Sequence, residues 1–421
     1  HMTEEIKQRI ETIKAGKVPD GYKRTVVGIV PNEWENKRLS ELLKFQNGVN
    51  ADKEKYNSGI KMISVMDILS NRPIFYDDIR GQVDIDEKAL NNYSVTYGDI
   101  LFQRSSETIE DAGKSNVYLD EKNTATYSGF VIRGKKIADY DPFYLNEILK
   151  TSGIRQQIIK YSAGSQHINV SQDSLSRVNV CLANEYEQNR IAEILSKWDK
   201  AIELQEKLIE KLELQKKALM QRLLTPKAGW KKVKLGKLAF MQSGGTPKST
   251  VEEYYNGNII WVSINDISSC GKYLSDSERK ITEKGLKNSS ARLFPKGTIL
   301  YAMYASIGKC CIATSECSTS QAILGIMTNE KLVSEYLYYF LIHHQERILA
   351  QGQKGTQSNL NKEMVQNIKV DLPDTIDKQI SIVKILNCFD RYMDSHIEKL
   401  ATLKQQQKSI QQLLLTGIVR V

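Results

Sequence analysis

Apolar residues fall in two different rhythms along this chain. Positions 191, 195, 198, 202, 205, 209, 212, 216, 219 and 223 step by four and three and hold Ile, Leu, Trp, Ile, Gln, Ile, Leu, Lys, Leu and Leu. The same rhythm returns as Ile382, Leu386, Phe389, Met393, His396, Leu400, Leu403, Gln407, Ile410 and Leu414. A strict a/d stripe sustained this long is narrower than the face a helix usually turns to a core, and it predicts the seam of a coiled coil. The competing reading is two amphipathic helices that each pack on their own globular domain. The first helix is expected from roughly Glu187 to Leu224, about 55 Å at about 1.5 Å per residue.

Elsewhere the rhythm shortens. Runs such as Ile259-Ile260-Trp261-Val262-Ser263-Ile264 and Thr298-Ile299-Leu300-Tyr301-Ala302 predict strands, and Leu332 to Leu349 predicts helix. Thr3 to Lys14 reads as a short charged helix that ends before a turn at Pro19-Asp20-Gly21.

The chain repeats itself. Trp34 to Leu39 returns as Trp230 to Leu235, an offset of 196. Ile63-Ser64-Val65-Met66-Asp67-Ile68 returns as Val262-Ser263-Ile264-Asn265-Asp266-Ile267, and Gly98-Asp99-Ile100-Leu101 as Gly297-Thr298-Ile299-Leu300, both at offset 199. Gly164-Ser165-Gln166 returns as Gly355-Thr356-Gln357 at offset 191, and Ile191 to Thr225 aligns with Ile382 to Thr416 without a gap at that same offset. The expected division is an N-terminal extension over 1–30, a globular domain over 31–182, a long helix over 183–226, a second globular domain over 227–372 and a second long helix over 373–421.

Both seams are interrupted at equivalent polar positions. If the helices pair antiparallel, facing residues have a constant sum, and 205 + 407 = 612 = 216 + 396. That register sets Gln205 opposite Gln407 and Lys216 opposite His396, and is the expected one because it keeps polar groups away from Leu and Ile.

Composition places limits on this scheme. The 421 residues suggest two to four domains at about 100–200 residues each. With 41% hydrophobic and 26% charged residues the chain is globular rather than disordered or collagen-like. No apolar run approaches the roughly 18 residues of a membrane span. Six cysteines are too few for a disulfide framework in a chain this long and no signal peptide is legible, so the expected compartment is reducing cytoplasm. A net charge of +9 permits an anionic partner without specifying one.

The motifs, in order, are a Trp-led start, Gly244-Gly245-Thr246-Pro247, Trp261 to Ile267, Pro295 to Leu300, Ala305-Ser306-Ile307-Gly308-Lys309, Gly355-Thr356-Gln357 and a long heptad helix. This succession resembles the specificity subunit of type I restriction-modification enzymes, over about residues 30 to 421. The first half departs from it, with Asn47-Gly48-Val49-Asn50 and Ala112-Gly113-Lys114 where the second half has Gly-Gly-Thr-Pro and Ile-Gly-Lys. The resemblance implies an α+β fold: two target recognition domains in tandem pseudo-repeat, separated by two long antiparallel coiled-coil helices.

It also implies a non-catalytic chain with no cofactor of its own. Such a chain binds double-stranded DNA at a bipartite target and docks two adenine methyltransferase subunits that carry S-adenosylmethionine. Two restriction translocase subunits using ATP and Mg can join the complex. Because the two halves differ most in their middles, the expected target is asymmetric. Half-sites read from one face are expected about 10 bp apart.

Candidate DNA contacts are loop residues with charge or hydrogen-bonding capacity: Lys114 and Lys309 in the Gly-Lys loops, Lys248, Arg104 with Ser105, Arg133, Arg279, Lys280, Gln166 and Gln357. Arg can read guanine bidentately, whereas Lys more often holds phosphate. The glycine before Lys114 and before Lys309 lets backbone approach phosphate, which ranks these two first. Ordinary solvated surface is the competing reading for each, and a loop-bracing role for the two glutamines.

Near-matches to catalytic motifs fail on their residues. Asp141-Pro142-Phe143-Tyr144 approaches a methyltransferase motif, but its counterpart Ser334-Glu335-Tyr336 keeps only the Tyr-Leu that opens a helix. Pro247 before Lys248 spoils a phosphate loop. Cys310, Cys311, Cys317, His343 and His344 lack paired zinc-ligand spacing. Two other classes stay open at this point: a self-contained DNA methyltransferase or nuclease, and a coiled-coil structural protein without sequence-selective DNA binding.

Overall fold

The computed structural model describes residues 3–164, 167–352 and 359–421. The chain divides into two compact units, one made of His1–Gln205 with Lys399–Val421 and the other of Glu206–Glu398. Both divisions fall inside long helices, Glu185–Leu224 and Ile376–Leu415, each of 40 residues. Each unit therefore owns one globular domain and half of each helix, where the sequence suggested separate helical segments. Among the described residues no helix is long and apolar enough to cross a membrane.

The first unit opens with the charged helix Glu4–Lys14, capped by the Thr3 hydroxyl, which accepts from the Ile6 amide. Its main sheet is antiparallel, in the order Leu43–Asn47, Val131–Lys136, Ile100–Gln103, Ser115–Val117. The Ile100–Gln103 strand is buried at every residue, as the apolar run Ile-Leu-Phe requires of a central strand. A second sheet joins Tyr56–Ile63 to Thr126–Tyr127 in parallel and to Gln82–Val83 antiparallel. The core gathers Trp34, Phe102, Ile132, Tyr144, Ile191 and Leu195 with Leu414 and Leu415 from the far end of the chain.

The last residues of the chain belong to this core's rim. The Tyr22 hydroxyl donates to the Gly417 carbonyl at 2.6 Å. Arg420 reaches Glu187 at 2.6 Å and Glu33 at 2.8 Å, and the Trp34 indole N–H donates to the same Glu187 at 3.0 Å.

The second unit repeats the plan. Its main sheet runs Ala239–Ser243, Ile323–Thr328, Ile299–Ala302, Cys310–Ala313, Tyr273–Leu274, the order of the first with one strand added. Tyr255–Val262 lies between Arg279–Ile281 and Cys317–Thr319 in the second sheet. The likeness extends to single residues. Strand register breaks between Tyr56 and Ile60 and again between Tyr255 and Ile259, and Asn57 and Asn256 sit there at φ of 70° and 59°. Asp67 accepts from the Ser64 amide and hydroxyl, and Asp266 from those of Ser263, closing a capping box in each unit.

Every predicted seam position of the two long helices is buried or half-buried. Toward the end of the first helix, burial shifts onto Met220 and Leu224, the drift expected when about 3.6 residues per turn meets a seven-residue repeat. Within each unit the helix segments run antiparallel, but the register differs from expectation. Gln407 donates to Asp199 in the first unit, and Lys216 pairs with Asp390 at 2.7 Å in the second. The sums are 199 + 407 = 606 and 216 + 390 = 606, not 612. Gln205 therefore does not face Gln407, nor Lys216 His396. A half-buried ammonium is better compensated by carboxylate than by imidazole, and the two aspartates flank the seam residues Trp198 and Phe389. His396 packs instead on the Tyr392 ring, with centroids 4.6 Å apart.

Candidate nucleic-acid interface

Three loops recur at corresponding places in the two units. The first is Gly244-Gly245-Thr246-Pro247, where the Gly244 amide donates to Ile323 at 3.1 Å and that of Gly245 to Thr319 at 2.8 Å. In the first unit Gly48 donates to Val131 at 3.1 Å and Val49 to Tyr127 at 2.9 Å, so Asn47-Gly48-Val49-Asn50 adopts the same course with a different sequence. Glycine is needed in both. A β-carbon would fall 2.0 Å from Thr319 Oγ1 at position 244 and 2.2 Å from the Ser128 carbonyl at position 48. The loop is held from beneath by the Trp261 indole, which donates to Gly245 at 3.0 Å, and by the Tyr255 hydroxyl, which donates to Pro247 at 2.7 Å. Lys248 follows directly, exposed and without an ion pair among the described residues.

The second recurring loop ends a hairpin. Gln103 donates to the Lys114 carbonyl at 2.8 Å and Ala302 to that of Lys309 at 2.9 Å. Gly113 and Gly308 hold φ of 61° and 82°, in the left-handed region. In the first unit Arg155 braces this loop, donating to the carbonyls of Gly113 at 2.8 Å, Ala112 at 2.6 Å and Glu110 at 3.2 Å. Burial pulls its pKa below the ordinary guanidinium value. In the second unit Gln345 donates to Ile307 at 3.0 Å. Ala305 and Ser306 also lie at positive φ, strain that β-carbon-bearing residues carry at few places other than functional loops. Lys309 is exposed with no ion pair among the described residues. Lys114 pairs with Asp111 at 2.5 Å, whose carboxyl is held below its ordinary pKa by hydrogen bonds from Lys114 and Thr108.

The third loop crosses beside these two. Arg104 donates its amide to Phe130 at 2.9 Å and its guanidinium to Gly129 at 3.1 Å, and its carbonyl accepts from Val170 at 2.9 Å. Met303 makes the same backbone bonds, to Ala322 at 3.0 Å and from Leu360 at 3.0 Å. The Ser105 hydroxyl donates to Asn169 at 2.6 Å.

Two stretches, residues 31–214 and 227–405, match the family model described as type I restriction modification DNA specificity domain. The chain belongs to this family. It is 25% identical over 426 residues to the putative type I restriction enzyme MjaX specificity subunit of Methanocaldococcus jannaschii, covering 96% of this chain and 97% of that one. It is 30% identical over 227 residues to the type I restriction enzyme EcoR124I/EcoR124II specificity subunit of Escherichia coli, covering 51% and 54%. Its fold matches a chain from a solved type I R-M system studied for complex assembly and conformational transition, with TM-score 0.63, 15% identity and coverage of 93% and 99%. The S subunit from M. genitalium matches with TM-score 0.54 at 15% identity, covering 90% and 96%. The chain is thus a DNA-recognition subunit of a restriction-modification system, and its role is specificity rather than catalysis.

The residues singled out from sequence are brought together in the first specificity domain only in part. Arg104 and Ser105 follow directly on Gln103, whose amide bonds the Lys114 carbonyl, so these three candidates are neighbours. Arg133 is a correction. It is buried, with guanidinium donating to Ser94 and, at 2.6 Å, to Gln46, and it stacks 5.5 Å over the Tyr127 ring. Its charge serves the interior, because the strand that carries it is central. In the second domain Arg279 is exposed and Lys280 pairs with Asp276 at 3.2 Å. Gln166 and Gln357 lie outside the described residues.

Arg155 escaped the sequence reading. A lone arginine in a short amphipathic helix carries no signal that it caps a distant loop. Cys310, Cys311 and Cys317 are buried, and among the described residues no group of three or more His, Cys, Asp or Glu is placed to hold a metal ion.

Proposed function

We propose that this chain reads a bipartite, asymmetric DNA target, one half-site per specificity domain, while its long helices serve as spacer and as docking surface for adenine methyltransferase subunits. The observation that supports this is the recurrence of the same three loops with side chains that differ at key positions, Asn50 against Thr246 and Arg104 against Met303, while Lys114 and Lys309 are shared. One scaffold displaying two sets of side chains suits two different half-sites. Recognition domains over 31–182 and 227–372, with helices over 183–226 and 373–421, go with this reading. Lys309 and Lys248 would hold phosphate, contributing affinity that falls with salt. Arg104 and Ser105, together with Arg279, would face base edges, where guanidinium and hydroxyl groups discriminate.

The charged faces of the helices, including Lys207, Glu210, Lys211 and Lys217, are the proposed contact for two methyltransferase subunits, which bring S-adenosylmethionine. Restriction translocase subunits would bring ATP and Mg. The setting would be the cytoplasm, where the chromosome lies.

The test is to express the chain with its cognate methyltransferase subunit and map methylated adenines by sequencing. A bipartite motif with unlike halves is expected. Methylation without sequence preference would overturn the proposal, as would methylation by the purified chain alone.

A further inference from the structure

One side chain on the first domain's recognition loops is out of keeping with its surroundings. From Ala125 to Ile132 the chain is buried at every position except Phe130, which is 66% exposed. Leaving a phenyl ring in water forfeits the largest apolar contribution available to a loop of this size.

The backbone that carries the ring is nonetheless fixed. Val131 donates back to Ser128 at 2.9 Å, Ser128 donates to Ile63 at 3.0 Å, and the Phe130 carbonyl accepts from the Arg104 amide at 2.9 Å. The Arg104 guanidinium holds the Gly129 carbonyl at 3.1 Å. The Asn50 amide presses on the other side, so closely that a β-carbon at Gly129 would fall 1.8 Å from Asn50 Oδ1. Such a display costs little further ordering when a partner arrives.

The neighbours are those of a base-reading surface. On the same turn and the strands beside it lie the Arg104 guanidinium, the exposed Asn50 amide and the Ser105–Asn169 pair, with Lys114 across the hairpin. In the second domain the corresponding turn carries Gln321 and Ala322, and Gln321 accepts from the Thr246 hydroxyl. The aromatic ring is therefore peculiar to the first domain.

We infer that Phe130 is a specificity-determining residue of the first half-site, its ring resting on the C5 methyl group of a thymine in the major groove while Arg104 and Asn50 address neighbouring base edges. The thymine methyl is the apolar feature that groove offers, and phenylalanine is one of the side chains suited to it. This inference rests on the proposed reading of the first domain as the reader of one half-site.

The test uses the full chain in complex with its methyltransferase subunit. Duplexes are selected from a randomised pool by the wild type, Phe130→Ala and Phe130→Leu, and the winning duplex is remade with deoxyuridine in place of each thymine in turn. Burial of one methyl-sized group is worth about 0.8 kcal/mol, roughly a four-fold preference. The wild type should lose about that factor at a single thymine on removal of its methyl. F130A should show no such loss and should tolerate other bases there, and F130L should keep part of the preference. An unchanged motif for F130A would overturn the inference, and so would a wild type indifferent to every deoxyuridine. A defect of F130A in binding the methyltransferase without DNA would overturn it in favour of a protein contact. Failure of the wild type to select any bipartite motif would instead reject the underlying reading.

Discussion

Gln407 donates to Asp199, and each stands 191 residues from a member of the Lys216–Asp390 pair, since 390 − 199 = 191 and 407 − 216 = 191. One contact has been built twice with different chemistry, an amide with a carboxylate in the first unit and an ion pair in the second. Burial and the neighbouring charge of Glu147 push Asp199 up to about 6 from an ordinary 3.8.

Replacing Gln407 by Lys should transplant the second unit's contact into the first. The Asp199 carboxyl should then titrate well below 6, because an adjacent ammonium favours its charged form. A carbon-detected titration of labelled aspartate measures this directly. An Asp199 that still titrates near 6 would mean that the lysine does not reach it.

A pH dependence follows from the same group. Its folded pKa lies above the unfolded one, so the folded state holds the proton more tightly. The resulting stability is present below about pH 4 and is lost as pH rises through about 6. With Asp199 only partly shielded from water, the loss should be on the order of 1–2 kcal/mol. Asp199→Asn should flatten the change in denaturation midpoint between pH 4 and 6.5 and leave the variant the more stable protein at neutral pH.

Arg155→Ala removes donors from three carbonyls of the Gly113–Lys114 loop. The expected cost is about 1–3 kcal/mol, concentrated locally. Amides 110–114 should exchange with deuterium markedly faster while the central strand Ile100–Gln103 stays protected. Arg155→Lys should rescue little, since an ammonium lacks the planar fork that spans three acceptors.

Lys309→Ala and Lys114→Ala should weaken DNA binding unequally. Lys309 has no ion pair among the described residues, so its loss should lower the slope of log affinity against log salt by about one. Lys114 already pairs with Asp111, and part of its charge is spent there. Its alanine variant should lower the slope by less. Equal slopes for the two variants would show that the Lys114–Asp111 pair opens fully on DNA.

The tandem fold was legible because repetition multiplies weak signals: Ile63 to Ile68 alone means little, but its return as Val262 to Ile267, at the offset shared by Gly98 to Leu101, marks a repeat. The helical stripes were legible for the same reason. The register was not, because the decisive Asp199 and Asp390 sit one place off the seam, where a pattern of a and d positions does not look. Arg133 misled because a basic side chain reads alike on a loop and on a buried strand when its acceptors, Ser94 and Gln46, come from far along the chain. Likewise, only folding could show that Asn47-Gly48-Val49-Asn50 and Gly-Gly-Thr-Pro follow one backbone course, since the hydrogen bonds that define it come from another strand.

The contacts of Tyr22, Glu33 and Glu187 with Gly417 and Arg420 mean that the first unit is discontinuous in sequence, whereas the second is the single stretch Glu206–Glu398. During synthesis the domain made first is thus completed last. Leu195 and its apolar neighbours lack part of their cover until residues 399–421 leave the ribosome, by which time the second unit has its whole sequence available. Between the emergence of Glu398 and that of Leu415 the chain has one recognition domain complete in sequence and one still open, and the open one would be the target for chaperones and proteases.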